Sequence, residues 1–305
     1  MVRFFFLLFS IFPALAFSQP EATPAIEIKE NIKKPVIKKD WLKPEQSFTI
    51  STAIPEGSGL VFWNGKLWTH NDSGKPLLFA IDPITGKLQT TYVLPGVENK
   101  DWEDLSDDEN YFYLGDIGNN LHIKDTLRIF RIEKRSLLEQ KPKIDVITFT
   151  WPETWNRGKK GKINFDCEAM AVINDSIYLF TKEWQKGKRT RMFTLPKVPG
   201  TYIAKYHATL NTNVLVTGAS YHTETKKLVL CGYNVLLRPF LLVFEEGRAS
   251  DFFSGPVKKI KIRKPFRQTE GISTFDGKTY YSISEDWRFL FLHTKQQLHK
   301  LQLEK

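Results

Sequence analysis

Three glutamates occupy the same position of a repeated pattern in this chain. Glu103, Glu168 and Glu270 each begin a hydrophobic stretch, followed by a short residue and then an apolar one. If the repeats surround an axis, these carboxylates converge, and they then need a cation, bound protons or a basic ligand. No His or Cys pair has metal-ligand spacing, and an oxygen-only cage suits Ca²⁺, so the pattern predicts an axial Ca²⁺ site. A salt-bridge cluster with Lys182 or nearby arginines is the alternative interpretation.

A second candidate set lies near the ends of the strands that follow. Carboxylates from different repeats can serve as acid and base, and indole rings can stack on a sugar or a base. The catalytic candidates are Asp116, Glu183 and Glu285, with Lys182 to neutralise charge. The ligand-binding candidates are His70, Asn71, Asp72, Trp102, Trp184 and Trp287. The alternatives are core packing for the tryptophans and a structural role for His70.

Asp101 and Asp166 each lie two residues before a motif glutamate and therefore share its strand face. They extend the predicted acidic ring. The chain contains no GxSxG, HExxH, P-loop or EF-hand motif, so it lacks the signatures of the enzymes and calcium proteins that carry them.

The repeat that positions these residues has five copies. The second residues of the five motifs are Gly59, Asp104, Ala169, Gly218 and Gly271, at steps of 45, 65, 49 and 53 residues. Each copy contains further alternating hydrophobic strands, and a period of ~40–50 residues with several strands is typical of β-propellers. We therefore predict an all-β fold, a five-bladed β-propeller with four antiparallel strands per blade. A sixth, degenerate blade within the longest step is the alternative.

The fifth copy is one strand short at its C-terminal end. Residues 46–51, near the other end of the chain, have the pattern of a strand. Pairing this strand into the last blade would close the ring and remove an exposed sheet edge.

The first residues have the layout of a signal peptide. Arg3 precedes an apolar run over residues 4–15 that is too short to span a membrane. We predict a signal peptide over residues 1–18, a Pro/Lys-rich linker over 19–44 and the propeller over 45–305. No Cys lies near the cleavage point, so the expectation is a periplasmic or secreted protein with no membrane span.

Charge and cysteine content refine this picture. The net charge is +10, with basic residues concentrated at 158–162, 186–189 and 258–264. The first two clusters could hold an anionic small molecule or a glycan, or could be solvated surface. The third lies on a predicted outer edge strand, where lysines protect the edge.

Cys167 and Cys231 fall in inner strands of different blades, which favours buried free thiols over a disulfide. Nothing indicates nucleic-acid binding, and a monomer is expected.

Several motifs carry a family resemblance. They resemble exported, largely uncharacterised propeller proteins of Bacteroidota-type bacteria, at residues 67–74, 101–105, 113–120, 166–170, 217–219 and 268–272. More distantly, residues 58–67 and the Glu270 motif are similar to calcium-activated nucleotidases of the apyrase family, which are five-bladed propellers with a central Ca²⁺. That resemblance implies metal-site positions at Glu103, Glu168 and Glu270.

Three functions are compatible with these features. The first is a secreted binding or scaffold propeller for a glycan, peptide or protein partner, with a structural axial Ca²⁺. The second is a Ca²⁺-dependent phosphohydrolase with Asp116 or Glu183 as base. The third is a glycoside hydrolase or lyase, in which Glu168 and Glu270, or Asp116 and Glu285, form an acid–base pair. The first is our expectation.

Overall fold

The computed structural model describes residues 30–121, 123–152, 166–184, 188–245, 251–290 and 292–303. In chain order the strands are β1 (Ile32–Lys33), β2 (Ile37–Leu42), β3 (Gln46–Thr49), β4 (Gly57–Trp63), β5 (Lys66–Asn71), β6 (Leu77–Ile81), β7 (Leu88–Val93), β8 (Trp102–Asp107), β9 (Tyr111–Asp116), β10 (Leu127–Glu133), β11 (Ile144–Thr150), β12 (Asp166–Ile173), β13 (Ser176–Lys182), β14 (Arg189–Pro196), β15 (Gly200–Ile203), β16 (Lys205–Asn211), β17 (Leu215–His222), β18 (Lys227–Tyr233), β19 (Pro239–Glu245), β20 (Val257–Ile262), β21 (Thr269–Thr274), β22 (Thr279–Ser284), β23 (Trp287–Phe289), β24 (Leu292–Thr294) and β25 (Gln297–Gln302). A short helix, α1 (Lys134–Leu138), follows β10, and a 3-10 turn spans Phe252–Ser254.

Five antiparallel sheets form the blades of a propeller. From inner to outer strand they are β4-β5-β6-β7, β8-β9-β10-β11, β12-β13-β14-β16, β17-β18-β19-β20 and β21-β22-β25-β3, which we number blades 1 to 5. Their inner strands contact one another in the order β4, β8, β12, β17, β21 and back to β4. The prediction of five blades is confirmed. The longest step between repeats contains the rest of blade 2, with α1 as an added connection.

Burial follows from position within each blade. The inner strand β12 is buried along its whole length, because neighbouring blades cover both of its faces. The outer strand β7 alternates half-buried and exposed residues, which matches its alternating sequence. The hydrophobic core therefore lies in layers between adjacent blades.

Blade 5 is closed by a strand from the opposite end of the chain, as predicted. β3 pairs antiparallel with β25, placing Phe48 opposite Leu298 and Ser47 opposite His299. The Nδ1 atom of His299 lies 2.9 Å from the hydroxyl of Ser47 across this pair. Closure thus joins the two ends of the propeller through main-chain and side-chain hydrogen bonds.

The segment before β3 differs from the expected linker. β1 pairs parallel with β16, and β2 pairs parallel with β20, so blades 3 and 4 each gain a fifth strand. Parallel pairing at an edge depends on main-chain hydrogen bonds and requires no apolar face, so a Lys-rich sequence can form it. Because β2 covers β20, the prediction that the lysines of β20 protect a sheet edge is wrong.

Parts of the sequence predictions concern residues outside the described ranges. The signal peptide, the cluster at residues 158–162 and Lys186 all lie there, so these predictions remain untested. No helix in the described portion has the length and apolar character needed to cross a membrane.

The inner strands approach one another very closely near the axis. Gly59 has φ +63°, and a Cβ atom there would lie 2.4 Å from the backbone nitrogen of Leu105. A Cβ on Gly271 would lie 2.7 Å from the carbonyl carbon of Gly59, and one on Gly218 would lie 3.1 Å from the Cα of Gly271. The second motif position is small because backbones of adjacent blades meet there.

Gly65 and Gly59 share a left-handed backbone conformation but differ in how closely other atoms approach them. Substitution at the two positions therefore distinguishes the cost of the conformation from the cost of the close contact. Gly65 has φ +69°, close to that of Gly59, but no atom lies within 4 Å of a Cβ built on it. We expect Gly65→Ala to cost about 1–2 kcal/mol, the penalty for a left-handed residue. Gly59→Ala should cost more than ~3 kcal/mol, because overpacking against rigid backbone is added. Urea unfolding of both variants measures the difference, and equal losses would contradict the close axial contact.

Two buried histidines, His299 of β25 and His70 of β5, should make the fold sensitive to acid. Burial, with Arg267 and Lys264 nearby, lowers the pKa of His299 from 6.5 to about 3, and burial lowers that of His70 to about 4. Between these values and pH 6.5 the unfolded chain binds more protons, so stability is complete above about pH 6.5 and falls as the pH decreases. Each histidine contributes a slope of up to ~1.4 kcal/mol per pH unit.

His299→Gln removes one of these titrations and retains a polar atom near Ser47. We expect its stability to fall less steeply than that of the wild type between pH 6.5 and 4, measured by urea unfolding at a series of pH values. Identical slopes for the two proteins would show that His299 is not a buried neutral histidine.

Candidate functional site

A β-bulge lies at each motif glutamate. The pairing register shifts across Glu103, Glu168 and Glu270, and it also shifts at Thr217 and after Ser58, which hold the same position in the other two blades. A bulged residue leaves the ladder, so its side chain can be redirected. In blades 2 to 5 the bulged residue is the one at this motif position, whereas in blade 1 the bulge follows Ser58, which stays paired with His70.

The two hydroxyl residues at this position bind backbone. The hydroxyl of Ser58 donates to the carbonyl oxygen of Glu103 at 2.5 Å, and that of Thr217 donates to the carbonyl oxygen of Thr269 at 2.5 Å. They join blade 1 to blade 2 and blade 4 to blade 5. The glutamates, by contrast, turn their carboxylates toward one another.

Glu103, Asp166 and Glu168 form the core of the site. Each offers a carboxylate oxygen, and these oxygens all lie within 4.8 Å of one another. All three residues are buried, at 7 %, 0 % and 2 % relative exposure. The structure therefore brings together two of the three predicted glutamates with Asp166, one of the aspartates predicted to share their face.

Glu270 adjoins this cluster from blade 5. It is buried, and it interacts electrostatically with Glu168 and Lys182. Lys182, near the end of β13, places its ammonium 2.5 Å from Glu168 Oε2. Although burial acts against the charged ammonium, Glu168 and Glu270 hold the pKa of Lys182 well above its usual value. Lys182 is thus a cation shared by the acidic cluster.

One ammonium does not neutralise the surrounding carboxylates. Burial, followed by the charges of Glu168 and Asp166, raises the pKa of Glu103 well above its usual value. Burial raises the pKa of Glu168 as well, against the opposing effect of Lys182. Carboxylates in this condition take up protons or a further cation.

Further carboxylates lie beside the axial cluster, and we call Asp72 and Glu285 the acidic rim. Burial and the neighbouring carboxylate of Glu56 raise the pKa of Asp72 to about 8. Burial, Glu270 and Asp72 raise the pKa of Glu285 well above its usual value. Gln268 donates a hydrogen bond to Glu285 at 3.2 Å. Asp72 and Glu285, predicted from the sequence as binding and catalytic candidates, therefore do lie near the axial glutamates.

Two other catalytic candidates are held in ion pairs. Asp116 accepts hydrogen bonds from Arg128 at 2.5 Å and from the backbone N–H of Asp101 at 3.1 Å. Glu183 pairs with Arg191 and accepts a hydrogen bond from the hydroxyl of Thr181 at 3.1 Å. Both carboxylates are satisfied within their own blades, which indicates structural roles.

The aromatic candidates divide into core and surface residues. Trp102 is fully buried and packs edge-to-face against His70, with ring centroids 5.7 Å apart, so neither ring is open to a ligand. Trp184 is 50 % exposed and lies beneath the ammonium of Lys182 at 5.4 Å. Trp287 stacks on Phe266 with centroids 6.4 Å apart. Trp184 and Trp287 are therefore the aromatic candidates that remain accessible.

Asn71 connects loops at the same end of the ring. Its side-chain amide donates to the carbonyl oxygen of Ala53 at 3.0 Å and accepts from the backbone N–H of Glu56 at 3.3 Å. It holds the loop that carries Glu56. Cys167 and Cys231 are free and buried, and burial raises the pKa of both thiols, so the prediction of free thiols is confirmed.

The axial residue that sequence reasoning passed over is Asp104. Its Oδ2 accepts the backbone N–H groups of Met170 at 2.8 Å and Ala219 at 3.1 Å, and its Oδ1 accepts that of Leu105 at 2.9 Å. One side chain from blade 2 thereby binds the inner strands of blades 3 and 4. The signal was present in the sequence, because Asp104 alone breaks the Gly/Ala pattern of the second motif position.

Comparison with known proteins gives a fold-level result. No family model matches the chain, and no curated protein matches it. Among solved structures, it is similar to a streptogramin B lyase, with TM-score 0.40 and 11 % identity over 85 % of this chain and 87 % of that one. It is also similar to a chain of a mitotic checkpoint complex, with TM-score 0.43 and 10 % identity over 98 % of this chain and 100 % of that one. These distant similarities assign no function.

Replacing Asp104 tests its role at the axis. Asp104→Ala leaves three buried N–H groups without their acceptor, and each orphaned group costs about 1–3 kcal/mol, so we expect a loss of more than ~3 kcal/mol. Asp104→Asn retains one acceptor oxygen and should lose less. Urea unfolding gives both values. If Asp104→Ala were as stable as the wild type, the contacts between blades through Asp104 would not matter to the fold.

Proposed function

We propose that this protein is an exported binding propeller whose axial carboxylates hold a Ca²⁺ ion. The observation that carries the proposal is the buried group of Glu103, Asp166 and Glu168, with oxygens within 4.8 Å of one another. Ca²⁺ binds oxygens at 2.3–2.6 Å, so ligands on opposite sides of the ion are separated by about 5 Å, and this spread fits one ion. Export rests on the signal-peptide pattern of residues 1–18.

We propose Glu270, which adjoins this group without belonging to it, as a fourth ligand. Its Oε2 atom is buried and makes no hydrogen bond within the described residues. A divalent ion would supply the charge that Lys182 alone does not. The distant resemblance to calcium-activated nucleotidases supports the same glutamates, and we also propose kinship with the exported Bacteroidota-type propellers.

The placement of the other candidates favours binding over catalysis. A phosphohydrolase needs a basic rim and an available base. Lys182 is paired with Glu168, Arg189 pairs with Glu30 at 3.1 Å, and the candidate bases Asp116 and Glu183 are held in ion pairs. In the described residues this leaves no basic rim facing the cluster.

A glycoside hydrolase is supported less well for a different reason. Of the aromatic candidates, Trp102 is fully buried, which leaves Trp184 and Trp287 near the surface to contact a sugar. We therefore propose that the ion rigidifies the axial end of the ring. The acidic rim around Asp72 and Glu285 would then present a fixed surface to a glycan, peptide or protein partner.

Thermal unfolding in EDTA and across a Ca²⁺ titration tests the axial site. Ca²⁺ at 100 times its dissociation constant should stabilise the wild type by about 2.7 kcal/mol. The variant Glu103→Gln/Glu168→Gln should show no such rise. Because Glu168→Gln also removes the partner of buried Lys182, the variant should be less stable than the wild type in EDTA, and the readout is its missing response to Ca²⁺.

Glu98→Gln is the matched control, since this side chain is 73 % exposed and lies outside the cluster. It should respond to Ca²⁺ as the wild type does. If Ca²⁺ leaves the wild-type midpoint unchanged, the carboxylates are neutralised by protons and Lys182, and the proposal fails.

A further inference from the structure

A second charged feature lies on the outer wall of blade 4, away from the axis. A cavity of about 500 Å³ opens between β2, β20 and the turn at residues 234–239. Its lining includes four cationic side chains, Lys39, Arg238, Lys259 and Lys261. We call this feature the blade-4 basic cavity. None of these residues belongs to the axial cluster.

Strand register gathers these charges on one face. Lys259 and Lys261 are two residues apart on β20, so their side chains share a face. Lys39 of β2 is directly opposite Lys259 in the parallel pair. Like charges in opposite positions destabilise a sheet unless something compensates them.

A neighbouring cavity of about 310 Å³ continues the basic surface. It shares Arg238 and Lys261 with the first cavity and adds Arg263 and Lys264. The one acid in the lining of the first cavity, Asp40, is already paired with Lys258 at 2.9 Å. Within the described residues, the four cations of the blade-4 basic cavity form no ion pair.

Lys259 gives the cavity a fixed cation. Its ammonium is half-buried, donates to the carbonyl oxygen of Thr212 at 2.8 Å and lies 5.4 Å from the centre of the Phe240 ring. Burial and the nearby Lys39 lower its pKa, consistent with a charge that has no counter-ion in contact. The wall beside it is apolar, formed by Phe240 with Pro239 and Val214.

Edge protection does not explain Lys259 and Lys261, since β2 covers β20. We propose that the blade-4 basic cavity binds a compact organic ligand that carries several phosphate or sulfate groups. The volume is in the range of small-ligand sites, and an apolar wall with a few convergent charges is their usual construction. Oxyanion groups would supply the charge-assisted hydrogen bonds that the four cations lack.

Calorimetric titration with two probes tests this site and identifies its chemistry. The probes are inorganic tripolyphosphate and sucrose octasulfate, used at low ionic strength without added Ca²⁺, which both anions would bind. Binding of either probe by the wild type is expected, and the tighter of the two distinguishes phosphate from sulfate esters. Affinity should fall as salt is raised, because exposed charges are screened.

Exposed lysines of the same N-terminal segment provide a matched control. Lys39→Gln/Lys261→Gln removes two charges from the cavity, and Lys34→Gln/Lys38→Gln removes two charges that line neither cavity and leaves the Asp40–Lys258 pair intact. The first variant should bind the preferred probe at least ~10-fold more weakly, and the second should stay within ~3-fold of the wild type. Lys34, Lys38, Lys39 and Lys261 are exposed, so both variants should fold, and unfolding curves check this.

Equal weakening in the two variants would mean that only overall charge matters, and this would overturn the proposal. Absence of binding by both probes would do the same. A third titration uses a single-stranded oligothymidylate, whose phosphates carry one charge each along an extended chain. If the oligothymidylate binds as tightly as the better probe, the blade-4 basic cavity recognises an extended polyanion and the compact-ligand proposal is wrong.

Discussion

The close approach of five inner strands at the axis is the constraint on which the rest of this structure depends. At the second motif position, backbones of adjacent blades come so near that a methyl group on Gly59 or Gly271 would collide with the next strand. Asp104, which holds this position in blade 2, binds backbone N–H groups in its own and the two following blades. A small ring of five blades can close only if these positions stay small and this one carboxylate is satisfied.

The same constraint creates the acidic site. In blades 2 to 5 the inner strand bulges one residue before its axial contact, and the bulged residue leaves the ladder. Where that residue is Ser or Thr, its hydroxyl joins neighbouring blades. Where it is Glu, the carboxylates converge around Lys182 in a buried setting that raises the pKa of Glu103 and Glu168. Packing of the inner strands thus places several carboxylates close together, and the proposed Ca²⁺ would neutralise their charge.

The outer wall follows a different logic. The N-terminal segment adds β1 to blade 3, β2 to blade 4 and β3 to blade 5 before the chain enters blade 1. These strands pair through main-chain hydrogen bonds, and their exposed side chains set the surface chemistry. On blade 4 the added strand places Lys39 beside Lys259, and a basic cavity results. The acidic cluster at the inner strands and the basic cavity at the outer strands of blade 4 therefore lie at opposite edges of the blades.

The sequence by itself determined the repeat, the number of blades, the closing strand and the shared position of Glu103, Glu168 and Glu270, because strand periodicity and repeat spacing are local properties. It also singled out Asp166 through its place two residues before Glu168. Only the tertiary structure decided which candidates meet. Asp116 and Glu183 carry the right chemistry but are bound by Arg128 and Arg191, and Trp102 lies inside the core, since such partners come from other strands whose register the sequence does not display. The role of Asp104 and the pairing of β2 with β20 were hidden for the same reason: both depend on backbone groups, which every residue carries and no side-chain pattern reveals.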